Sequence, residues 1–155
     1  MNFDDIKTIR FGKGLGKIEF GMSKSELRSL LGEPDEIESD DDSDDETTVN
    51  WHYDQHELSI TLMEVEDWIV VMIAVSSPKF LLNGQPLIGK SKDDVMATIE
   101  KLGKTKSEDL SSDDIPDYTV ESVEKIGANF WFEGGMLSEI QWSPLWDEDE
   151  LFNMN

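Results

Sequence analysis

The first half of the chain contains one helical pattern of hydrophobic positions. Leu27, Leu30 and Leu31 recur at the spacing of a single helix face. Ser23 and Glu26 precede them in the order of a capping box, in which each side chain bonds to the other residue's backbone N–H. A glycine and a proline follow the leucines at once, and both are typical of a helix end. The pattern therefore predicts one short helix that begins next to Ser23.

Downstream of this helix, hydrophobic and polar residues alternate, which predicts strands with one buried face. Residues 58–63 show this alternation, and Phe130 and Phe132 show it in the second half of the chain. The two phenylalanines would face a helix, so Trp131 and Glu133 would lie on the opposite face. The predicted strands cover residues 48–53, 57–65 and 68–75, and then residues 118–126, 129–133 and 136–142.

The two halves of the chain are similar to each other. Residues 16–27 recur 68 positions later as residues 84–95, with Gly, Gly, Ser and Lys at matching places. Ser91 then opens a second helical pattern, and the dipeptide Ser77-Pro78 recurs near the end of the second half. These matches indicate two copies of one structural unit.

We predict one compact domain over residues 1–155. It is made of two repeats, at about 12–80 and 81–146, and a short acidic C-terminal tail follows them. The predicted fold class is α+β, with two tandem helix-plus-antiparallel-meander units that form a layered α/β sheet platform. A meander with one helix leaves its second face open to water or to a partner, so the sheet is where we expect binding.

One stretch of the first repeat resembles a known structural unit. Residues 18–35, in which Gly-Met-Ser-Lys opens a helix and Leu-Gly-x-Pro ends it, resemble the BamE/SmpA-like unit, as do Trp51-x-Tyr53 and Leu58-x-Ile60 after them. The tandem arrangement is similar to that of the beta-lactamase inhibitory protein, in which two helix–sheet units present a concave sheet to a target enzyme. The resemblance implies a protein-binding sheet. The lipidated Cys of BamE-type lipoproteins and the disulfides of the inhibitory protein are absent, since the chain contains no Cys.

Acidic residues dominate the composition. The chain has 35 Asp and Glu against 13 Lys and Arg, and its formal net charge is −22. Such a body repels nucleic-acid phosphates and anionic membrane surfaces, so we expect neither as a partner. The absence of Cys excludes disulfides and thiol chemistry, and the first residues lack the pattern of a signal peptide. No apolar run approaches the roughly 20 residues that span a bilayer. These features predict a cytoplasmic protein.

The densest acidic stretch covers residues 38–46, where seven side chains are carboxylates. It can be a solvated loop, because like charges at this density repel each other, or a docking strip for a basic partner. Its Asp spacing imitates a calcium-binding loop, but Asp45 and Trp51 stand where such a loop needs Gly and Glu. Without this stretch and the four carboxylates of 147–150, the formal charge is still −11. A partner with a positive surface would explain a charge spread over the whole body.

Other candidate chemistry is weaker. His52, Asp54 and His56 could share one strand face as metal ligands, but surface histidines are the more common explanation. These are the chain's two histidines, and no nucleophile-elbow motif occurs. Residues 12–17 are rich in glycine but lack the Gly-Lys-Ser/Thr ending of a phosphate loop, which favours a turn. We therefore predict no metal, no cofactor and no enzymatic activity.

The leading hypothesis is an acidic protein inhibitor of the immunity type, which binds and neutralises a basic bacterial toxin such as a nuclease. Electrostatic attraction would speed capture, and aromatic side chains on the sheet would slow release. The alternatives are a BamE-like scaffold or assembly module with a non-toxin partner and, less favoured, a small acidic enzyme. The predicted partner-binding residues are Asp40, Asp41, Asp42, Asp44, Asp45 and Glu46 in the acidic stretch, and His52, Thr61, Trp131, Glu133, Glu139 and Gln141 on the sheet.

Overall fold

A computed structural model describes residues 3–40, 48–64, 68–101, 108–109, 118–123 and 126–144. Within these ranges the α-helices are α1 (Lys24–Leu31) and α2 (Lys92–Lys101), and Phe3–Asp5 and Asp54–His56 form short 3-10 helices. The strands are β1 (Ile9–Arg10), β2 (Gly14–Leu15), β3 (Ile18–Glu19), β4 (Glu36–Asp40), β5 (Thr48–Tyr53), β6 (Leu58–Met63), β7 (Ile69–Val75), β8 (Leu81–Leu82), β9 (Gln85–Pro86), β10 (Glu108–Asp109), β11 (Tyr118–Val123), β12 (Ala128–Glu133) and β13 (Met136–Trp142).

Eight of these strands form one antiparallel sheet. Their order is β10-β11-β12-β13-β7-β6-β5-β4, so four strands from each half of the chain meet where β13 pairs with β7. Ile140 lies opposite Val75 at this seam, and Trp142 lies opposite Ile73. Two smaller sheets, β1-β2-β3 and β8-β9, precede α1 and α2 along the chain.

One face of the large sheet carries the hydrophobic core. Buried and half-buried residues alternate along β6, as the period of a strand requires. Leu27 and Leu31 of α1 belong to the same buried cluster as Val95 and Ile99 of α2 and the buried residues of the sheet. Both helices therefore pack on the same face of the sheet.

The small sheet β1-β2-β3 packs against this core through its turns. The Phe11 ring meets the Phe130 and Trp142 rings edge-on, with centroid distances of 5.9 and 5.8 Å. The indole N–H of Trp142 donates to the backbone carbonyl of Gly14 over 3.1 Å. A buried indole is satisfied in this way, and the N-terminal hairpin is fixed to the last strand of the sheet.

The predicted fold class is wrong in two respects. The described residues are mostly β-structure, and eight strands from both halves form one sheet instead of two helix-plus-meander units. Residues 38–40, the start of the acidic stretch, belong to β4 because their backbone pairs with β5. The apolar faces of both halves are buried in one cluster, and β7 pairs with β13. Hydrophobic periodicity predicts which face of a strand is buried, but it does not predict which strands pair.

Matching backbone bonds hold the starts of the two helices. The N–H of Lys24 donates to the carbonyl of Trp68 over 2.9 Å, and the N–H of Lys92 donates to the carbonyl of Gly135 over 3.1 Å. Trp68 directly precedes β7, and Gly135 directly precedes β13. Each helix is thus joined to the last strand of its own half. This correspondence favours a division into two repeats, which stays a prediction.

Candidate binding face

The large sheet has a second face, turned away from both helices, which we call the open face. Its residues alternate with the buried core residues along each strand. On β6 they are Ser59 and Thr61, and on β13 they are Glu139 and Gln141, all of them half-buried. The open-face residues used below are His52, Ser59, Thr61, Ala74, Asn129, Trp131, Glu133, Glu139 and Gln141.

One row of residues crosses the open face from strand to strand. His52 lies opposite Ser59, which lies opposite Ala74. Ala74 lies opposite Gln141, which lies opposite Asn129. Five neighbouring strands at ordinary spacing place the two ends of this row about 19 Å apart. Hydrogen-bonding side chains from both halves therefore belong to one continuous surface, with a small residue at the seam.

Trp131 and Glu139 lie opposite each other on β12 and β13. Both side chains are half-buried, and burial raises the pKa of the Glu139 carboxyl above its usual value. The ladder is irregular directly after Trp131, and the Ser138 hydroxyl donates to the Trp131 carbonyl over 3.0 Å. An extra residue of this kind redirects the side chains next to it. The result is a large ring beside a partly desolvated carboxylate.

Six of the predicted partner-binding residues lie on the open face. They are His52 and Thr61 from the first half, and Trp131, Glu133, Glu139 and Gln141 from the second half. Asp40 is the last residue of β4, where it pairs with Thr48. The other predicted residues, Asp41, Asp42, Asp44, Asp45 and Glu46, lie outside the described residues. The structure brings the six together on one face, and their role in binding stays a prediction.

A chain of three hydrogen-bonding side chains was not predicted. His52 Nδ1 lies 2.8 Å from Ser59 Oγ, and His52 Nε2 lies 3.4 Å from Glu38 Oε1. A serine, an imidazole and a carboxylate in this order are also the groups of a hydrolytic triad. The three residues belong to three neighbouring strands, whose register the sequence does not reveal. The alternation along β6 was the one available signal, because it places Ser59 on the polar face.

The surroundings of Ser59 are unsuited to acyl transfer. The transition state of that reaction needs N–H donors aimed at an oxyanion beside the nucleophile. Because β6 is paired on both sides, the backbone N–H groups next to Ser59 take part in the ladders with β5 and β7. We therefore assign these three side chains a structural role, which is to tie β4 to β5 and β6.

The other candidate chemistry is not assembled into a site. His56 lies in the short helix after β5, whereas His52 lies on the strand itself. In the part of the chain that the structure describes, no three His, Asp or Glu residues are placed to hold a metal ion. Residues 12–17 form turns and β2 of the small sheet. No helix in the described ranges has the length and apolar character needed to cross a membrane.

Comparison with known proteins gives two similar solved structures. An extracellular protein containing an SCP domain from Bacillus anthracis is 17% identical over 86% of this chain and 45% of its own length, with a TM-score of 0.49. A cysteine-rich secretory protein from Staphylococcus aureus is 13% identical over 97% of this chain and 50% of its own, with a TM-score of 0.47. This chain thus spans about half the length of each. No family model matches the chain, and no curated protein is similar enough to be a relative.

These findings correct the identification made from the sequence. The similar structures are not BamE/SmpA-like or inhibitory proteins, and one eight-stranded sheet replaces the two helix-plus-meander units on which the tandem resemblance depended, so that resemblance is wrong. The immunity function and the BamE-like scaffold are wrong with it, since nothing in the comparisons supports either. The motif behind the resemblance is a capped helix with a glycine–proline stop, and such local features occur in many folds and do not define a function.

The predicted cytoplasmic location is also wrong. Both similar structures are described as extracellular or secretory proteins, which conflicts with it. The prediction rested on features that the sequence lacks, namely Cys and a signal pattern. A missing feature is weaker evidence for a compartment than a feature that is present.

Proposed function

We propose that this protein is a binding module for a partner protein with a positively charged surface, which docks on the open face. The observation that carries the proposal is the register of the sheet. It gathers Trp131, Glu139 and Gln141 with other polar side chains on a face that neither helix covers. The proposal is of binding and not of catalysis.

The charge of the molecule favours a basic partner. A formal charge of −22 attracts a cationic surface over long distances and speeds the first encounter. The same field repels nucleic-acid phosphates and anionic lipids. A protein surface rich in Lys and Arg is therefore the partner whose chemistry fits best.

Trp131 and Glu139 are suited to hold such a partner once it has docked. Half-buried tryptophans that a partner covers completely are frequent sites of high binding energy. The Glu139 side chain is half-buried, and this partial desolvation raises the pKa of its carboxyl. A Lys or Arg brought next to this carboxylate would supply a counter-charge, which no ion pair among the described residues gives it.

Affinity capture with matched variants tests this proposal. The wild-type protein, Trp131→Ala and Leu30→Ala are immobilised and exposed to an extract of the organism that makes the protein. Leu30 is a half-buried residue of α1, on the helix side of the sheet, and serves as the control. We expect basic proteins that wild type and Leu30→Ala retain and Trp131→Ala loses. Equal retention by Trp131→Ala, in protein shown by its thermal unfolding to be folded, would count against the open face.

A further inference from the structure

We infer that the outer edge of β4 is a second binding site, which takes an extended peptide segment as an additional strand. The segment has Lys or Arg at alternate positions and apolar residues between them. This inference uses other residues than the open-face proposal and does not depend on it. The mode of binding is the addition of a strand to a sheet edge, in which backbone hydrogen bonds give affinity and alternate side chains give specificity.

β4 is an edge strand with its outer side unpaired among the described residues. It pairs with β5 through five residues, Glu36–Asp40, without an irregularity in the ladder. A five-residue strand spans about 17 Å and leaves every second backbone N–H and C=O pointing outward. Natural edge strands are commonly blocked by charged side chains, Pro or a bulge. β4 has no Pro and no bulge, and its charged residues Glu36, Glu38 and Asp40 are all acidic, so they oppose an acidic strand but not a basic one.

The two sides of β4 differ in their chemistry. Glu36 and Glu38 are exposed and point to the open-face side, because they pair with His52 and Asn50. Ile37 pairs with Trp51, a core residue, yet its own side chain is 50% exposed. An added strand would therefore place basic residues next to the two glutamates and an apolar residue next to Ile37.

The two sides of β4 also differ in charge. On the Ile37 side, the Arg28 guanidinium lies over the Trp51 ring, 5.2 Å from the ring centre, and pairs with Glu33 over 2.8 Å. A Lys or Arg on this side would meet an apolar side chain and an already neutralised ion pair, whereas on the other side it would meet the carboxylates of Glu36 and Glu38. The preferred segment thus alternates strictly, and a block of basic residues with the same total charge does not fit.

A second copy of this chain is a poor occupant of the same edge. Antiparallel pairing of two β4 strands would bring Glu36 and Glu38 of one copy near the carboxylates of the other, and like charges opposite each other destabilise a sheet. The general charge of −22 on each copy adds to this repulsion. A basic segment from a different protein meets no such repulsion.

Peptide binding to the full-length protein tests the inference. The probes are acetylated Lys-Val-Lys-Val-Lys-Val and Lys-Lys-Lys-Val-Val-Val, which have the same composition and charge, and fluorescence anisotropy gives their affinities. We expect the alternating peptide to bind at least about tenfold more tightly. It should also slow hydrogen exchange of the backbone amides of residues 36–40. Equal affinities for the two peptides, or protection elsewhere alone, would overturn the inference.

Variants of the protein locate the site. Ile37→Lys, and the double change Glu36→Gln with Glu38→Gln, should each weaken binding of the alternating peptide about tenfold or more. The glutamine at position 38 can still accept the hydrogen bond of His52. The control, Asp93→Asn with Glu100→Gln on α2, changes the net charge by the same amount as the double change and should retain the affinity. If the control loses the same amount of affinity for the alternating peptide, the net charge of the protein alone explains the binding, and the inference is overturned.

The outcome is separable from that of the open-face proposal. Glu133→Gln with Glu139→Gln should bind the alternating peptide as wild type does, and a loss in this variant would move the peptide to the open face and overturn the edge site. Sedimentation of the protein without peptide tests whether a second copy of this chain occupies the edge of β4. A dimer that Ile37→Lys dissociates would show a second copy on the edge and would likewise overturn the inference.

Discussion

At the scale of single residues, Glu139 is held in a position that is unfavourable for its charged form. Its carboxyl is half-buried on the open face, and the cause of its raised pKa is desolvation. A group with a raised pKa in the folded state destabilises that state at pH values where it must ionise. Below the ordinary pKa of a glutamate, where both states are protonated, this destabilisation is absent.

Glu139→Gln should therefore stabilise the protein at neutral pH. The gain should grow as the pH rises from the ordinary pKa of a glutamate towards the raised pKa of Glu139, and it should stay constant above that raised pKa. It should vanish below about pH 4, where folded and unfolded states both hold the proton. Urea unfolding at pH 7 and pH 4 measures it. Glu133→Gln, an exposed carboxylate on the same face, controls for the loss of one negative charge. If Glu139→Gln raises the free energy of unfolding at pH 7 by no more than Glu133→Gln does, desolvation does not destabilise the Glu139 carboxylate.

Two glycines with positive φ differ in the room that an added Cβ atom would have, so Ala substitutions at them distinguish a steric clash from backbone strain. Gly16 and Gly84 both have positive φ, 57° and 80°. A Cβ on Gly16 would lie 2.2 Å from the carbonyl oxygen of Asp5, whereas one on Gly84 would have no neighbour within 4 Å. We expect Gly84→Ala to cost about 1 kcal/mol for its conformation, and Gly16→Ala to cost more than about 3 kcal/mol. Thermal unfolding compares the two, and similar losses would contradict the close approach.

At the scale of elements, an ion pair joins α2 to the sheet on the core side. Lys92 Nζ lies 2.9 Å from a carboxylate oxygen of Glu121, and Glu121 is 7% exposed. Lys92 also lies over the Phe132 ring, 5.8 Å from its centre. The Lys92 side chain is about one-third exposed, so only the Glu121 carboxylate is buried, and removing the lysine leaves that carboxylate without its counter-charge.

Lys92→Met should destabilise the protein by about 2–3 kcal/mol. The double variant Lys92→Met with Glu121→Leu should recover most of this loss, because no charge is then left buried. Lys7→Met breaks the exposed pair of Lys7 with Asp4 and should cost less than about 1 kcal/mol. Denaturant unfolding of all four proteins makes the comparison. If the double variant is no more stable than Lys92→Met, the loss of stability does not come from the unpaired Glu121 charge, and this explanation is contradicted.

The helices and several strands could be predicted from the sequence because their signals are local. The capping box of α1 is present, with the Ser23 hydroxyl accepting from the Glu26 N–H and the Glu26 carboxylate accepting from the Ser23 N–H. β5 covers the predicted residues 48–53, and Phe130 and Phe132 are buried while Trp131 lies on the other face. These features depend on neighbours within one turn or one strand.

The missed features all depend on contacts between distant segments. β4 has one apolar residue among four polar ones, so its own pattern indicates a loop, and pairing with β5 makes it a strand. The seam between β7 and β13 joins residues about 65 positions apart, such as Val75 and Ile140. The bonds from His52 to Ser59 and Glu38 also depend on strand register, which periodicity does not define.

At the scale of the whole molecule, the charge and the sheet have to be considered together. The formal charge of −22 belongs to a chain whose described part is built around one eight-stranded sheet with both α-helices on one side. A charge of this size attracts basic proteins in general, so weak binding to cationic surfaces alone does not support a specific site. Specific binding requires that charges on the open face matter more than equal charges elsewhere.

The most direct measurement compares two charge-matched variants against a captured basic partner. Glu133→Gln with Glu139→Gln removes two charges from the open face, and Asp93→Asn with Glu100→Gln removes two from α2 on the other side. Titration calorimetry at physiological salt gives the affinities. The open-face account predicts a loss of at least about tenfold, or about 1.4 kcal/mol, for the first variant and less than about twofold for the second. Equal losses in the two variants would contradict it.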